Sequence, residues 1–102
     1  MEIMLTDRKL SADEAYQFGL VNRVAPADEY MAVALKIAGK VASKSQVAIK
    51  LTKDAINKAY EMTLSEGLEF EKRNFFIAFS SEDKAEGMQA FIEKRKAEWK
   101  NR

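Results

Sequence analysis

The side chains able to do chemistry in this chain are few in kind. Two carboxylate pairs stand three residues apart, Glu66 with Glu69 and Asp83 with Glu86. On a helix that spacing puts both members on one face, where they can share a proton or hold a cation. Neither pair has a third ligand in reach, and the chain contains no histidine and no cysteine. The commonest general base, the commonest metal ligand and all thiol chemistry are thereby excluded. Catalysis would have to rest on carboxylate, Lys, Tyr, Ser or Thr. Both pairs are expected to be solvated charge, with no metal site. Glu61, Glu66 and Glu71, interleaved with Lys58 and Lys72, are expected to make surface ion pairs of small value. The basic run Lys94, Arg95, Lys96, Lys100 and Arg102 could touch an acidic partner. Glutamates interrupt it, and 17 basic against 16 acidic residues leave a net charge of only +1, so no nucleic-acid partner is expected.

The elements that must position these groups centre on Thr63 to Lys96, read as two consecutive helices. Thr63 and Glu66 form a T-x-x-E capping box that starts the first. Leu64, Leu68, Phe75 and Phe79 recur at helical spacing and give it one apolar stripe. The break falls at Ser80–Ser81, with Ser81 as N-cap and Glu82 and Asp83 in a first turn that favours negative charge. Met88, Phe91, Ile92 and Arg95 share a face of the second helix, which ends in Lys94, Arg95 and Lys96. Beyond them lies a polar tail containing Trp99.

Upstream, Ile3 to Leu5 read as the tail of an element. Ser11 to Glu14 make another capping box, and Gly19 sits where a left-handed residue would stop that short helix. Leu20 to Val24 carry the β-branched residues of a strand ended by Pro26, with Arg8 to Leu10 as the nearest partner. Asp28 to Val41 read as an amphipathic helix, with Met31, Ala34, Leu35, Ala38 and Val41 or Ala42 in the stripe. Ser45 caps a further helix from Gln46 to about Tyr60, with Ala48, Leu51, Ala55, Ile56 and Ala59 facing inward. The fold class is therefore mostly α: about five helices with at most one short β pair. Residues 1–102 read as one segment, with 1–26 a short helix and strand connector and 27–102 a helical bundle. A hydrophobic fraction of 47% with one proline argues against disorder, and no apolar run approaches the roughly 20 residues of a membrane span. No secretory signal pattern is read in MEIMLTDRK. Several broad apolar faces in so short a chain predict burial against a partner or a further domain.

The order of residues in this central stretch is similar to the C-terminal end of the crotonase family, the enoyl-CoA hydratases and isomerases. The match runs through Glu61, Met62, Thr63, Leu64, Glu66, Gly67, Glu71, Phe75 and Phe79, and continues through Ser81, Asp83, Glu86, Gly87, Met88, Ala90, Phe91 and Glu93 to Arg95. Upstream, Gly19, Leu20, Val21, Val24 and Pro26 resemble the family phrase G-L-V-x-x-V-x-P. The resemblance covers the whole chain but only the last part of a family member; the spiral of ββα units that forms the core is not matched. It implies the helical, subunit-joining part of that α/β fold. No catalytic residue is carried over, because the oxyanion-hole amides and the paired glutamates belong to the core. The resemblance implies an acyl-CoA site to which Phe75, Phe91 and Lys94 contribute, with Lys94 as the phosphate contact. Coenzyme A would enter as part of the substrate, with no separate cofactor. The implied partners are acyl-CoA and either a homo-oligomer, trimer or hexamer, or the N-terminal core. The implied location is the cytoplasm or an organelle matrix. From the residues alone, Phe75 and Phe91 on helix stripes read first as core, and Lys94 could equally serve a helix C-terminus. Two alternatives stay open: a helical interaction module without chemistry, and acyl-CoA binding without catalysis.

Overall fold

A computed structural model describes residues 1–102. The chain forms six α-helices and no strand: α1 (Glu2–Thr6), α2 (Ala12–Gln17), α3 (Tyr30–Ala42), α4 (Gln46–Lys58), α5 (Leu64–Ser80) and α6 (Glu82–Ile92). They divide into two compact units, residues 1–37 and 38–102, with the boundary inside α3.

In the first unit α2 starts on the predicted capping box. The Ser11 hydroxyl accepts the Glu14 N–H at 3.2 Å, and the Glu14 carboxylate accepts the Ser11 N–H at 3.0 Å. Gly19 closes the helix at φ 71°. Its N–H donates to the Tyr16 carbonyl at 3.0 Å, and the Leu20 N–H reaches back to the Ala15 carbonyl at 2.8 Å, the paired bonds of a Schellman cap. This cap is also why the expected strand from Leu20 to Val24 does not form. The Val21 N–H is drawn to the same Ala15 carbonyl at 3.2 Å, so the amides that would open a ladder are already used. Arg8, read as part of the partner strand, instead bridges Glu2 at 3.3 Å and Glu14 at 2.6 Å. Ile3 to Leu5 lie within α1, which ends at Asp7 in the left-handed region.

In the second unit the predicted starts are again found. Ser45 accepts the Ala48 N–H, Thr63 and Glu66 complete their capping box, and Ser81 accepts the Lys84 N–H. Helix α5 packs against both α4 and α6. Its inward face is not the predicted stripe. Gly67, Phe70, Asn74 and Ala78 are half-buried, whereas Leu64, Leu68, Phe75 and Phe79 are 80, 56, 60 and 52% exposed. Asn74 accounts for the difference: its amide donates to the Leu51 carbonyl at 3.0 Å and ties α5 to α4. Spacing rules follow apolar residues and pass over a glycine and an asparagine on the packed side. Helix α5 thus carries two faces, one packed within the unit and one open. Helix α6 ends at Ile92, before the basic run, so Arg95 does not share its face as expected.

Candidate functional site

The open faces of α5 and α6 form an apolar groove in the second unit. Phe75, Phe79, Met88, Phe91 and Trp99 line a volume of about 410 Å³. Phe75 stacks on Phe79, with ring centroids 5.7 Å apart, and meets Phe76 edge-on at 5.9 Å. The Lys84 ammonium lies 4.0 Å from the centre of the Phe79 ring. Of the three residues implied by the family resemblance, the structure brings two together: Phe75 and Phe91 share the groove. At 60 and 85% exposure they are not core within this chain.

Lys94 does not line the groove. It follows the C-cap residue Glu93 of α6 at φ 54°, the left-handed position that glycine usually takes. Its N–H donates to the Phe91 carbonyl at 3.3 Å, and the Arg95 N–H donates to the Ala90 carbonyl at 3.0 Å. The side chain of Lys94 is exposed and takes no part in the ion pairs around it.

The carboxylates correct an expectation. Asp83 and Glu86 are not solvated charge. Asp83 is only 2% exposed and accepts three hydrogen bonds: from the Lys100 N–H at 2.7 Å, from the Asn101 N–H at 2.9 Å and from the Ser45 hydroxyl. Burial pushes its carboxyl up, but the Ser45 hydroxyl and the amides of Asn101 and Lys100 outweigh this and hold it below the ordinary value. Glu86 receives the Arg95 guanidinium at 2.6 and 3.0 Å and the Glu98 N–H at 2.7 Å, which lower its carboxyl to about 2. Both groups stay ionised at neutral pH with their oxygens engaged, and they serve to hold the C-terminal tail. Glu66 is spent on its capping box. Lys58 pairs with Glu61 at 2.7 Å, one of the surface ion pairs expected in that region. No three carboxylates come together as a metal site.

Trp99 was not singled out from the sequence. Its Nε1–H donates to the Ser43 carbonyl at 2.8 Å, and its ring lies on Gly87. A β-carbon at position 87 would sit 3.1 and 3.2 Å from two indole carbons. A glycine inside a helix, opposite the chain's single tryptophan, was the available signal for this close approach.

The groove offers a flat aromatic wall and little polar chemistry. It suits an apolar chain or ring, with positive charge at Lys84 and, past the end of α6, at Lys94. Comparison with known proteins gives this surface its context. All 102 residues match the family model described as enoyl-CoA hydratase/isomerase. A protein of Dictyostelium discoideum named a probable mitochondrial enoyl-CoA hydratase is 46% identical over the whole chain, which spans 37% of that relative. The mitochondrial enoyl-CoA hydratase of Pongo abelii is 43% identical over 99% of the chain, which spans 35% of it. Among solved structures, an enoyl-CoA hydratase/isomerase from Mycobacterium paratuberculosis superposes with a TM-score of 0.91 at 32% identity, over the entire chain and 40% of its own. An enoyl-CoA hydratase from Bacillus anthracis does so with a TM-score of 0.89 at 38% identity, over 93% of this chain and 37% of its own. The chain thus spans about two fifths of the proteins it matches. By sequence and by fold it belongs to the enoyl-CoA hydratase/isomerase family, and its helices are a helical part of the crotonase fold.

Proposed function

We propose that this chain acts as the C-terminal part of an enoyl-CoA hydratase/isomerase, supplying acyl-CoA-binding surface and subunit contacts. The whole enzyme would add water across, or shift, the double bond of a fatty acyl-CoA thioester, in the cytoplasm or an organelle matrix. One observation carries the binding role. Phe75 and Phe91, the aromatic positions implied by the family resemblance, line a single apolar groove that is open to solvent. Lys94 follows Phe91 by three residues and offers an unpaired ammonium to a phosphate of coenzyme A. Coenzyme A is part of the substrate here, and no separate cofactor is invoked. Residues 1–26 act as connector and 27–102 as the helical part of one segment. The exposed stripe of α3 and the Leu64 and Leu68 end of the α5 stripe are faces for burial against the N-terminal core or against further copies, as a trimer or hexamer. The groups that activate the thioester belong to the core, so the chain alone binds without turnover.

The test is calorimetric titration of the purified chain with coenzyme A, beside Lys94→Ala. The expected result is saturable binding weakened about tenfold by the substitution, a loss of about 1.4 kcal/mol. An unchanged affinity in Lys94→Ala contradicts the phosphate contact. A folded monomer that ignores acyl-CoA favours a helical interaction module instead.

A further inference from the structure

The last ten residues are a docked strap. At one end the Arg95 guanidinium and the Glu98 N–H both engage Glu86. At the other, the amides of Lys100 and Asn101 close on Asp83. Asn101 takes the left-handed region at φ 61° and accepts the Gln46 N–H at 3.0 Å on its side-chain oxygen, a second cap for α4 beside Ser45. The Arg102 carbonyl accepts the Glu82 N–H at 2.9 Å at the start of α6. Between these anchors sits Trp99, its polar edge satisfied by Ser43 and its ring seated on Gly87. The rest of that ring lines the same groove as Phe75 and Phe91.

We infer that Trp99 is a further contact for the apolar part of an acyl-CoA, and that Asp83 is the positioning residue that sets it. This rests on the acyl-CoA reading above and names the residue that reads the acyl chain. The physical reason is preorganisation. A tryptophan gives a large apolar surface once its N–H is satisfied, and one fixed at both flanks loses little further freedom when a ligand arrives. The strap passes its anchoring to the ring through Lys100, the residue after Trp99, whose N–H is held by buried Asp83. An acyl chain lying between Phe75, Phe91 and Trp99 would cover apolar surface on three sides, while the coenzyme A phosphates remain outside.

Trp99 is the only tryptophan, so its emission reports on the proposed contact directly. The purified chain is titrated with coenzyme A and with octanoyl-CoA, with heat and emission followed on the same samples. Octanoyl-CoA is expected to shift Trp99 emission, saturating together with the heat, and coenzyme A alone to shift it less. Trp99→Ala is expected to lower octanoyl-CoA affinity about tenfold more than coenzyme A affinity. Gly87→Ala moves the ring without removing it and should give a smaller loss of the same kind; it carries the test if Trp99→Ala fails to fold. Asp83→Asn, with its helical spectrum kept, should shift the emission of the ligand-free chain towards that of exposed tryptophan. Binding heat with unmoved emission, and equal losses for both ligands in Gly87→Ala, overturn the role of Trp99 while leaving acyl-CoA binding standing. Unchanged emission in Asp83→Asn overturns the positioning role. No heat with either ligand overturns the acyl-CoA reading itself, and this inference with it.

Discussion

Lys94 occupies a backbone position that favours glycine and keeps a long charged side chain there. Left-handed backbone costs a residue with a β-carbon about 1 kcal/mol. A residue retained against that cost, with no partner in its own chain, points to a role outside it. Lys94→Gly is therefore predicted to raise the free energy of unfolding by about 0.5–1 kcal/mol in a urea titration while weakening coenzyme A binding as Lys94→Ala does. Were the ammonium serving only the end of α6, the same substitution would leave binding untouched. At this scale the structure places Phe75 and Phe91, the aromatic positions that the family resemblance implies, along one groove. Asp83 and Trp99 were not legible. The partners that give Asp83 its role stand 17, 18 and 38 residues away, and no local pattern in the sequence announces them.

Helix starts were legible because a cap is written within four residues. Ser11, Ser45, Thr63 and Ser81 each accept the amide their position predicts. Two of them allow a graded prediction by denaturant unfolding. Thr63→Ala should cost about 1 kcal/mol, the ordinary value of a cap. Ser45→Ala should cost more, because it also strips a hydroxyl donor from buried Asp83. Packing faces were less legible. The inward side of α5 runs through Gly67 and Asn74, and the tail reads as polar although its backbone amides and indole anchor it. The strap also carries a pH prediction. Glu86 drops from its ordinary 4.5 to about 2 in the folded chain, so its contribution is complete above 4.5 and is lost as pH falls towards 2. Asp83, held low as well, acts in the same direction. Trp99 emission should accordingly move towards that of exposed tryptophan over this acid window, and Glu86→Gln should show the shifted emission already at neutral pH.

The whole chain buries very little of what it could bury. Only Ala15 and Ala90 are buried apolar residues, and no large side chain is fully covered. A 102-residue chain supports only a modest core in any case, so open faces of this extent call for a partner surface. Its helical class was legible from periodicity and caps, and its family from the order of residues along the chain. The absence of a strand was not, because the Ala15 carbonyl claims the Leu20 and Val21 amides. Light scattering on the purified chain should return a discrete oligomer with a strong helical spectrum; a monodisperse folded monomer would contradict burial against further copies. In the proposed division of labour this segment holds acyl-CoA and the chemistry stays in the core. Titration of the chain with crotonyl-CoA, followed by calorimetry and by loss of the enoyl absorbance, tests it most directly. Saturable heat with the absorbance unchanged is the expected result; no heat, or a falling absorbance, would contradict that division.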